Sequence, residues 1–444
     1  MIKLFFSLLI GKLIQLICRL LPTIGGSALP GLVSLRLDPQ LIEKLVKKNN
    51  LQSIIITGTN GKTTTSRLLG AILQAQSTPY LHNRTGSNLL RGIASTLINQ
   101  TNLLGQLSVN SAVWEVDEAV APETIKQLKP RILLFTNLFR DQLDRYGEID
   151  TILQNWQKSL RFLPQTSKLI VNIDDPSLNQ LAICWSHPNR TITFGLSEKL
   201  APKTSPTHAA DALFCPDCLK PLQFTHVFTS HLGHYHCSSC SFKRQKPQLT
   251  LSSQKQTPSL PGLHNLYNLL AATSLAQALN ISQAVIRQAI KDYQPAFGRA
   301  ESFKLGRLPV NILLVKNPAG FNITLETLQA KKHLHSQPLL LILNDLIADG
   351  TDVSWIWDVD FELLKKRKIP LVVSGLRAPD LALRLKYAGL KPHLITIQPN
   401  LKKALSFLKH QPGSSGYILP TYTAMLQLRE ILRKQKLIHS TWED

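Results

Sequence analysis

Short apolar runs alternate with amphipathic stretches along most of the chain. Runs that are rich in β-branched or aliphatic residues predict strands buried in a parallel sheet. The first series covers residues 53–57, 112–116, 132–136 and 169–172, and the second covers residues 312–315, 339–343 and 371–374. Helical periodicity covers residues 62–76 and 265–279. This alternation predicts a doubly wound α/β protein in two main parts.

The first 21 residues form an apolar segment. Lys3, Lys12 and Arg19 interrupt it, so no uncharged stretch reaches the length of about 18 residues that a membrane span needs. No small-residue cleavage site follows cleanly, which argues against secretion. On a helix, the basic and small residues fall on one half of the surface and the large apolar residues on the other. Two interpretations stay open: a basic helix lying on a membrane surface, or a helix packed on its own protein.

Composition and charge narrow the class of protein. The 444 residues are enough for about three domains, and a hydrophobic content of 43% excludes a disordered or fibrous chain. There are 50 lysines and arginines against 28 acidic residues, a net charge of +22. Such a surface attracts nucleic acid, phosphate-bearing ligands or an anionic membrane, and the charge alone does not choose among them.

A glycine-rich turn separates the first predicted strand from the first predicted helix of the α/β series. Backbone N–H groups of such a turn can surround a phosphate, Lys62 can neutralise the outer phosphates, and Thr63 can place its hydroxyl on Mg²⁺. The strict phosphate-loop pattern fails because Ile56 stands where its first glycine should be, and the alternative is an ordinary tight turn. We predict a nucleotide site formed by Gly58, Thr59, Asn60, Gly61, Lys62, Thr63 and Thr64.

Carboxylates follow the next predicted strand. Glu115 ends that strand, where it can hold Mg²⁺ directly or through water. Asp117 and Glu118 compete for this role, and any of the three could instead cap a helix. Thr136 and Asn137 follow a further strand, in the crevice where open α/β sheets bind ligands.

Four of the six cysteines have metal-binding spacing. Cys215 and Cys218 form one C-x-x-C pair, and Cys237 and Cys240 form another. This pattern predicts a zinc ribbon inserted at about residues 205–248, with a closed Cys₄ shell and therefore a structural role. The alternative is two disulfides, which a cytosolic enzyme would not keep.

Aspartates crowd the loop that follows the predicted strand at residues 339–343. They include Asp345, Asp349, Asp352 and Asp358. Carboxylates that repel one another cost stability unless something opposite needs them. The alternative is a turn-rich loop whose aspartates cap backbone N–H groups.

The central domain of the Mur ligases is similar to this chain in the glycine-rich turn at residues 58–64, in Glu115 and in the pair Thr136 and Asn137, which occur in the same order. The resemblance also includes Asp141, Asp144, and the segments at residues 172–176, 262–268 and 298–301. It implies ATP-dependent amide ligation, in which a substrate carboxylate takes the γ-phosphate and a nitrogen nucleophile displaces phosphate from the acyl phosphate. It further implies that Asn265 and Asn268 lie near the adenine and Arg299 near the phosphates.

The region before the phosphate turn leaves room for a helix and a connection only, where sugar-nucleotide-adding Mur ligases carry a domain for the UDP-sugar. In this departure the chain resembles the MurT family. The resemblance also rests on the cysteine pairs, the run from Lys316 to Gly320 and the segment 349–352. The members of this family are the Mur-ligase-like synthetase subunits of lipid II isoglutaminyl synthase. The resemblance covers essentially the whole chain.

The MurT resemblance implies a substrate, a partner and site residues. The D-glutamate α-carboxyl of the lipid II stem peptide would become D-isoglutamine, with ammonia from a GatD-type glutaminase in a heterodimer. Asp352, with Asp349 as runner-up, would complete the cysteine–histidine pair of that partner. Lys62 and Glu115 would serve the ligase reaction, with ATP, Mg²⁺ and Zn²⁺ as cofactors. The expected location is the cytoplasm, at the inner face of the plasma membrane.

The predicted domains are an N-terminal helix with its connection at residues 1–50, an ATP-binding domain at 51–305 and a C-terminal α/β domain at 306–444. Two alternatives share part of the pattern. A folylpolyglutamate-type ligase has the ATP loop but is not expected to carry the ribbon or the aspartate loop. A nucleic-acid ATPase should interleave aromatic and basic residues, whereas aromatic residues make up only 7% of this chain.

Overall fold

The computed structural model describes residues 2–20, 28–83, 87–141, 149–201, 203–206, 210–251, 262–293 and 301–438. These residues form two compact units. The first contains the described residues within 2–139, 149–206 and 212–293, and the second contains those within 140–141, 210–211 and 301–438. The predicted limits of the domains stay predictions, but residues 301–305 form an edge strand of the second unit's sheet.

The first unit is built on a parallel sheet of seven strands in the order β2-β3-β1-β4-β5-β6-β9. The strands are β1 (Gln52–Thr57), β2 (Leu81–His82), β3 (Ser111–Glu115), β4 (Ile132–Phe135), β5 (Lys168–Asn172), β6 (Thr191–Leu196) and β9 (Leu249–Leu251). Strand β1 lies between β3 and β4, and its residues from Ser53 to Thr57 are buried because helices cover both faces. From β1 the chain continues to β2 on one side, and after β3 it crosses to β4 on the other side of β1. A ligand-binding crevice forms at the carboxyl end of β1, where the direction of the strand order changes.

Helices flank this sheet. They are α1 (Ile2–Leu20), α2 (Leu29–Leu37), α3 (Leu41–Lys48), α4 (Lys62–Ala75), α5 (Leu90–Gln100), α6 (Ala121–Leu128), α7 (Ile149–Ser159), α8 (Pro176–Trp185), α9 (Leu263–Ala278) and α10 (Gln283–Asp292). Helix α8 shows how local sequence sets a boundary, since the Asp175 carboxylate accepts hydrogen bonds from two N–H groups of its first turn and proline begins the helix. Among the described residues, no helix is both long and apolar enough to cross a membrane.

The predicted insertion contains an antiparallel pair, β7 (Leu222–Thr229) and β8 (Leu232–Cys237). It attaches to the first sheet through the end of β5. The Tyr235 hydroxyl donates to the Ile173 carbonyl over 2.9 Å, and the Gly233 N–H donates to the Asp174 carbonyl over 2.9 Å. The insertion is therefore anchored to the sheet rather than joined to it by its two connections alone.

The second unit has a six-stranded sheet in the order β10-β11-β15-β12-β13-β14, parallel except for the β10–β11 pair. Its elements are β10 (Glu301–Leu305), β11 (Leu308–Ile312), α11 (Pro318–Ala330), β12 (Leu339–Ile342), β13 (Leu371–Ser374), α12 (Ala378–Tyr387), β14 (Ile395–Ile397), α13 (Leu401–Lys409), β15 (Gly416–Pro420) and α14 (Tyr422–Lys434). Apolar residues on both faces of the sheet form two buried clusters. The predicted α/β fold with a C-terminal α/β unit is thereby confirmed.

One predicted strand, at residues 312–315, was wrong in position. The strand is β11, where Leu308, Val310 and Ile312 are buried and alternate with more exposed residues. The prediction followed a continuous apolar run, whereas an edge hairpin of an antiparallel pair shows alternation. Residues Leu313 and Val315 still donate backbone hydrogen bonds to the neighbouring β15 segment beyond the end of the strand.

Candidate functional site

The glycine turn lies at the carboxyl end of β1, and two of its residues have left-handed backbone conformations. Gly58 has φ +124° and Gly61 has φ +89°. A β-carbon on Gly58 would lie 2.3 Å from Thr136 Oγ1, and one on Gly61 would lie 2.2 Å from Asn268 Oδ1. Both positions therefore require glycine, for the backbone and for the close approach of these polar side chains.

Residues after β4 hold the turn in place. The Thr59 N–H donates to the Asn137 carbonyl over 3.0 Å, and the Asn60 N–H donates to Asn137 Oδ1 over 2.9 Å. The Thr59 hydroxyl donates to the Phe139 carbonyl and accepts from the Phe139 N–H. These bonds fix the turn before any ligand arrives. Lys62, Thr63 and Thr64 then begin α4, so that the positive end of the helix dipole faces the same crevice.

The side chain of Lys62 is buried in contact with the carboxylate of Glu118. Its Nζ donates to Glu118 Oε2 over 2.8 Å and also to the carbonyl oxygens of Gly58 and Thr59. The two ionised side chains are only 6% and 3% exposed, so the pair lies in a region of low dielectric where each charge depends on the other. The predicted phosphate-binding cation thus lies under the turn, held by one of the three carboxylates that follow β3.

Glu115 contacts the other predicted magnesium ligand. The Thr63 hydroxyl donates to Glu115 Oε1 over 2.6 Å, which places a hydroxyl and a carboxylate oxygen side by side at the end of β3. Hard oxygen donors of this kind suit Mg²⁺, so the pair fits the ion. The remaining competitor, Asp117, accepts from the Ala119 N–H as a local cap. The structure therefore gives the three candidate carboxylates different contacts.

Asn83 is a site residue that the sequence did not reveal. Its Nδ2 donates to the Glu115 carbonyl over 2.8 Å, and its Oδ1 accepts from the Glu115 N–H over 2.9 Å. The amide thus fixes the backbone at the end of β3. No sequence signal indicated this role, because Asn83 follows a strand of two residues and lies 32 positions before Glu115.

The two asparagines expected near the adenine lie at the start of α9. Asn268 Nδ2 donates to Asn265 Oδ1 over 3.2 Å, and Asn268 itself packs against Gly61. Asn268 therefore meets the glycine turn directly, and Asn265 is joined to it through Asn268. Arg299 and Asp144 lie outside the described residues. Asp141, which was expected in the same region, forms an ion pair with Lys316 over 2.5 Å within the second unit.

A buried aspartate after β5 connects the sheet, the inserted module and α9. Asp174 accepts from Arg244 Nε over 2.6 Å, from the Tyr267 hydroxyl over 2.7 Å and from the Leu196 N–H over 2.7 Å. Burial raises the pKa of Asp174, and the Arg244 charge and the three hydrogen bonds oppose that effect. No local sequence pattern indicated this network, since its other members lie 22 to 93 positions from Asp174.

The four predicted zinc ligands lie together. Their sulfur atoms are all within 4.8 Å of one another, with Cys215 and Cys240 at 3.5 Å and Cys218 and Cys237 at 3.4 Å. All four are free thiols, which excludes the two disulfides in this structure. Sulfur atoms that each lie about 2.3 Å from one tetrahedral zinc would be about 3.8 Å apart, so the cluster fits the ion.

The thiols of this cluster do not ionise alike. A hydrogen bond from the Ser239 N–H is the main reason that the pKa of Cys237 falls to about 7. The Phe242 backbone lowers the pKa of Cys240, but burial and contacts with the other three thiols together raise it to about 12. Four thiolates in so small a volume repel one another, and a divalent cation removes that repulsion.

The two aspartates considered for the partner's site both lie in the aspartate loop of the second unit, but they have different surroundings. Asp349 is buried and accepts hydrogen bonds from both the N–H and the hydroxyl of Thr423, and burial raises its pKa. Asp352 is exposed and accepts from the N–H and hydroxyl of Ser354 over 2.7 and 2.9 Å. Asp349 thus ties the loop to the start of α14, whereas the Asp352 carboxylate is displayed at the surface.

Comparison with known proteins shows similarity over most of the chain. The Mur ligase middle domain family matches residues 56–276, and the MurT ligase C-terminal family matches residues 314–425. The chain is 33% identical to the MurT subunit of lipid II isoglutaminyl synthase (glutamine-hydrolyzing) from Streptococcus pneumoniae, over 93% of this chain and 94% of the relative. For the MurT subunit from Staphylococcus aureus the identity is 34%, over 92% and 93%.

The fold also matches a solved structure, that of a pseudomurein peptide ligase type C from Methanothermus fervidus. The TM-score is 0.67 at 20% identity, over 90% of this chain and 84% of the other. Fold and sequence together define an ATP-dependent ligase of the Mur type, a class that uses ATP and Mg²⁺. Within that class, the chain belongs to the MurT family.

Proposed function

We propose that this chain is the synthetase subunit that amidates the D-glutamate α-carboxyl of the lipid II stem peptide to D-isoglutamine. The observation that supports it best is the contact between Thr63 and Glu115, beside Lys62 at the rigid glycine turn. It provides a place for the metal and the phosphates of ATP in a chain whose full-length relatives are named for lipid II isoglutaminyl synthase.

The first half-reaction activates the carboxylate. A carboxylate oxygen attacks the γ-phosphorus, a new oxygen–phosphorus bond forms, and the bond to the leaving ADP breaks. Backbone N–H groups at the start of α4 and the Lys62 ammonium stabilise charge on the transferring phosphoryl group. Thr63 and Glu115 would hold Mg²⁺, which would supply further positive charge to the phosphates. Lys62 reaches the phosphates by exchanging its contact with Glu118 for one with ATP.

The second half-reaction forms the amide. Ammonia attacks the acyl carbon of the acyl phosphate with its lone pair, and phosphate then leaves with the electrons of the carbon–oxygen bond. The nitrogen loses a proton, which yields the neutral amide. Neither half-reaction needs a covalent link to the protein, so the chain acts by positioning and electrostatic stabilisation.

The relatives are named as subunits of a glutamine-hydrolyzing synthase, which implies a partner subunit. We assign to this chain a GatD-type glutaminase that supplies ammonia. Asp352 is our candidate for completing the partner's cysteine–histidine pair, because its carboxylate is exposed while Asp349 is engaged by Thr423. Its charge would orient the partner's histidine and stabilise it once protonated.

We assign zinc to the four-cysteine cluster as a structural ion. Four thiolates would fill a tetrahedral shell and leave no position for a water molecule, so the ion would not take part in the reaction. The ion would hold the inserted module together. The same module reaches the ATP-binding unit through Arg244 and Asp174, and we infer that the zinc stabilises this contact.

The test is amidation by the purified heterodimer, supplied with lipid II, ATP, Mg²⁺ and glutamine. We expect one ADP per amide formed, and no amide when ATP is left out. ATP consumption with transfer of glutamate to a folate instead, and none to lipid II, would favour the folylpolyglutamate-type alternative. Amide formation without ADP would contradict the acyl phosphate mechanism.

A further inference from the structure

Helix α1 faces the protein with a mixed side, on which Leu4 and Leu8 are buried beside small and polar residues. Ser7 and Gly11 are buried against α2, where a β-carbon on Gly11 would lie 2.4 Å from Ser34 Oγ. Lys12 Nζ donates to the Ile98 carbonyl over 2.8 Å, and Arg19 donates to Asn99 Oδ1 over 2.9 Å. A helix that served only to pack on its own protein would not also leave large apolar side chains exposed along its other side.

The other side of α1 is a continuous apolar surface. Its large side chains are between 40% and 75% exposed, and their spacing of mostly three or four residues places them on one face. A contiguous exposed apolar face on a folded protein marks an interaction site. The α1 face consists of Ile2, Phe5, Phe6, Leu9, Leu13, Leu16, Ile17 and Leu20.

A neighbouring loop adds to this surface. Leu103 and Leu104 are 41% and 63% exposed. A β-carbon on the next residue, Gly105, would lie 3.4 Å from Leu8 and 3.6 Å from Leu4 of α1, so the loop packs beside the helix. The apolar surface thus extends from α1 onto a second element with which it is in contact.

Basic groups border the apolar surface. Lys3 is exposed within α1 itself, and Arg19 is exposed at its end. Lys48 Nζ donates to the Leu104 carbonyl, which places an exposed ammonium beside the loop. The described part of α1 contains no acidic residue. An apolar face with a cationic border is complementary to the interface of a bilayer that contains anionic lipids.

We propose that the α1 face, together with Leu103 and Leu104, docks on an anionic phospholipid membrane. A second copy of the chain fits less well, because a symmetric contact would bring the same cationic borders together. Docking rests on the proposed function in one respect: it brings the site to a lipid-linked substrate. In this proposal the helix lies along the membrane surface.

The test uses the full chain and vesicles of phosphatidylcholine with or without phosphatidylglycerol, with binding measured by flotation. We expect the wild type to bind the anionic vesicles and to bind less at high salt. The double variant Leu13→Glu/Leu16→Glu should bind roughly tenfold more weakly or worse, because two leucines that would enter the membrane interface become charges. The matched control is Leu383→Glu, at a leucine of α12 that is 49% exposed, and it should bind like the wild type.

Three results would overturn the docking proposal. They are no flotation of the wild type, equal loss in Leu383→Glu, and a concentration-dependent dimer that the double variant dissociates while vesicles have no effect. Thermal unfolding and ATP binding of the double variant, both expected at wild-type values, show that it has folded. Amidation of a water-soluble lipid II fragment separates the two proposals. Amidation without vesicle binding contradicts docking alone, and vesicle binding without amidation contradicts the proposed function alone.

Discussion

Lys62 and Glu118 form a buried ion pair beneath the glycine turn, with 2.8 Å between Nζ and Oε2. In this arrangement the cation expected to meet ATP is already neutralised by the protein. An ionised lysine that lost its carboxylate here would be a buried charge without its counter-charge, which is costly. The ion pair therefore couples the stability of the site to the arrival of phosphate.

Glu118→Gln tests this coupling, because it keeps the size of the side chain and removes its charge. We expect the nucleotide-free protein to lose roughly 3–5 kcal/mol of stability, as when one partner of a buried pair is removed. ATP should then raise the thermal midpoint more in the variant than in the wild type, since phosphate replaces the missing negative charge. Thermal unfolding with and without ATP measures both effects. An unchanged midpoint without nucleotide would show that the ion pair contributes nothing.

Lys62→Ala tests the role of the lysine in the reaction. ADP release and amide formation should fall together, by roughly 10²–10³-fold or more, because charge developing on the phosphoryl group loses a fixed cation. The matched control is Lys129→Ala, which removes a lysine whose side chain is 56% exposed and should leave the rates unchanged. Amidation at the ordinary rate in Lys62→Ala would contradict the Mur-type mechanism for this site.

Metal analysis tests the cysteine cluster. We expect about one zinc per chain in the wild type, and Cys215→Ser should lose the metal and destabilise the inserted module rather than block ATP chemistry selectively. Cys184→Ser is the control, since this exposed cysteine lies outside the cluster. Purified protein that is free of metal and fully active would remove zinc from the proposal.

Asp352→Asn separates glutamine hydrolysis from ligation. The change keeps the shape and removes the charge, so glutamine hydrolysis by the complex should fall by roughly the 10⁴-fold seen when a serine protease triad loses its aspartate charge. ATP binding and assembly with the partner should persist. A high concentration of ammonium should restore amidation, because the ligase site is intact.

The comparison with Asp349→Asn makes this test specific. Asp349 is held by Thr423, so its variant should lower the thermal midpoint of the chain, whereas Asp352→Asn should not. If Asp352→Asn fails equally with glutamine and with ammonium, Asp352 belongs to the ligase site or to the fold. The assignment to the partner's site would then be wrong.

Much of the fold was predictable because it depends on local patterns. Patterns within a few residues predicted three elements that the structure contains: β1 from its β-branched run, the turn from its glycines and α4 from its periodicity. The strand at β11 was placed wrongly because an edge hairpin alternates, while the apolar run beside it does not. The amphipathic nature of α1 was also predictable, but not which side faces the protein.

The sequence by itself determined the α/β series, the phosphate turn and the paired cysteines, because each of these features depends on residues that are close together along the chain. Tertiary structure alone decided that Glu115 meets Thr63 and Glu118 meets Lys62, at sequence separations of 52 and 56 positions. It also decided that Asp174 joins Arg244, 70 positions away. Side chains so far apart are brought together by strand order and burial, which depend on the folded chain as a whole rather than on the residues around each position.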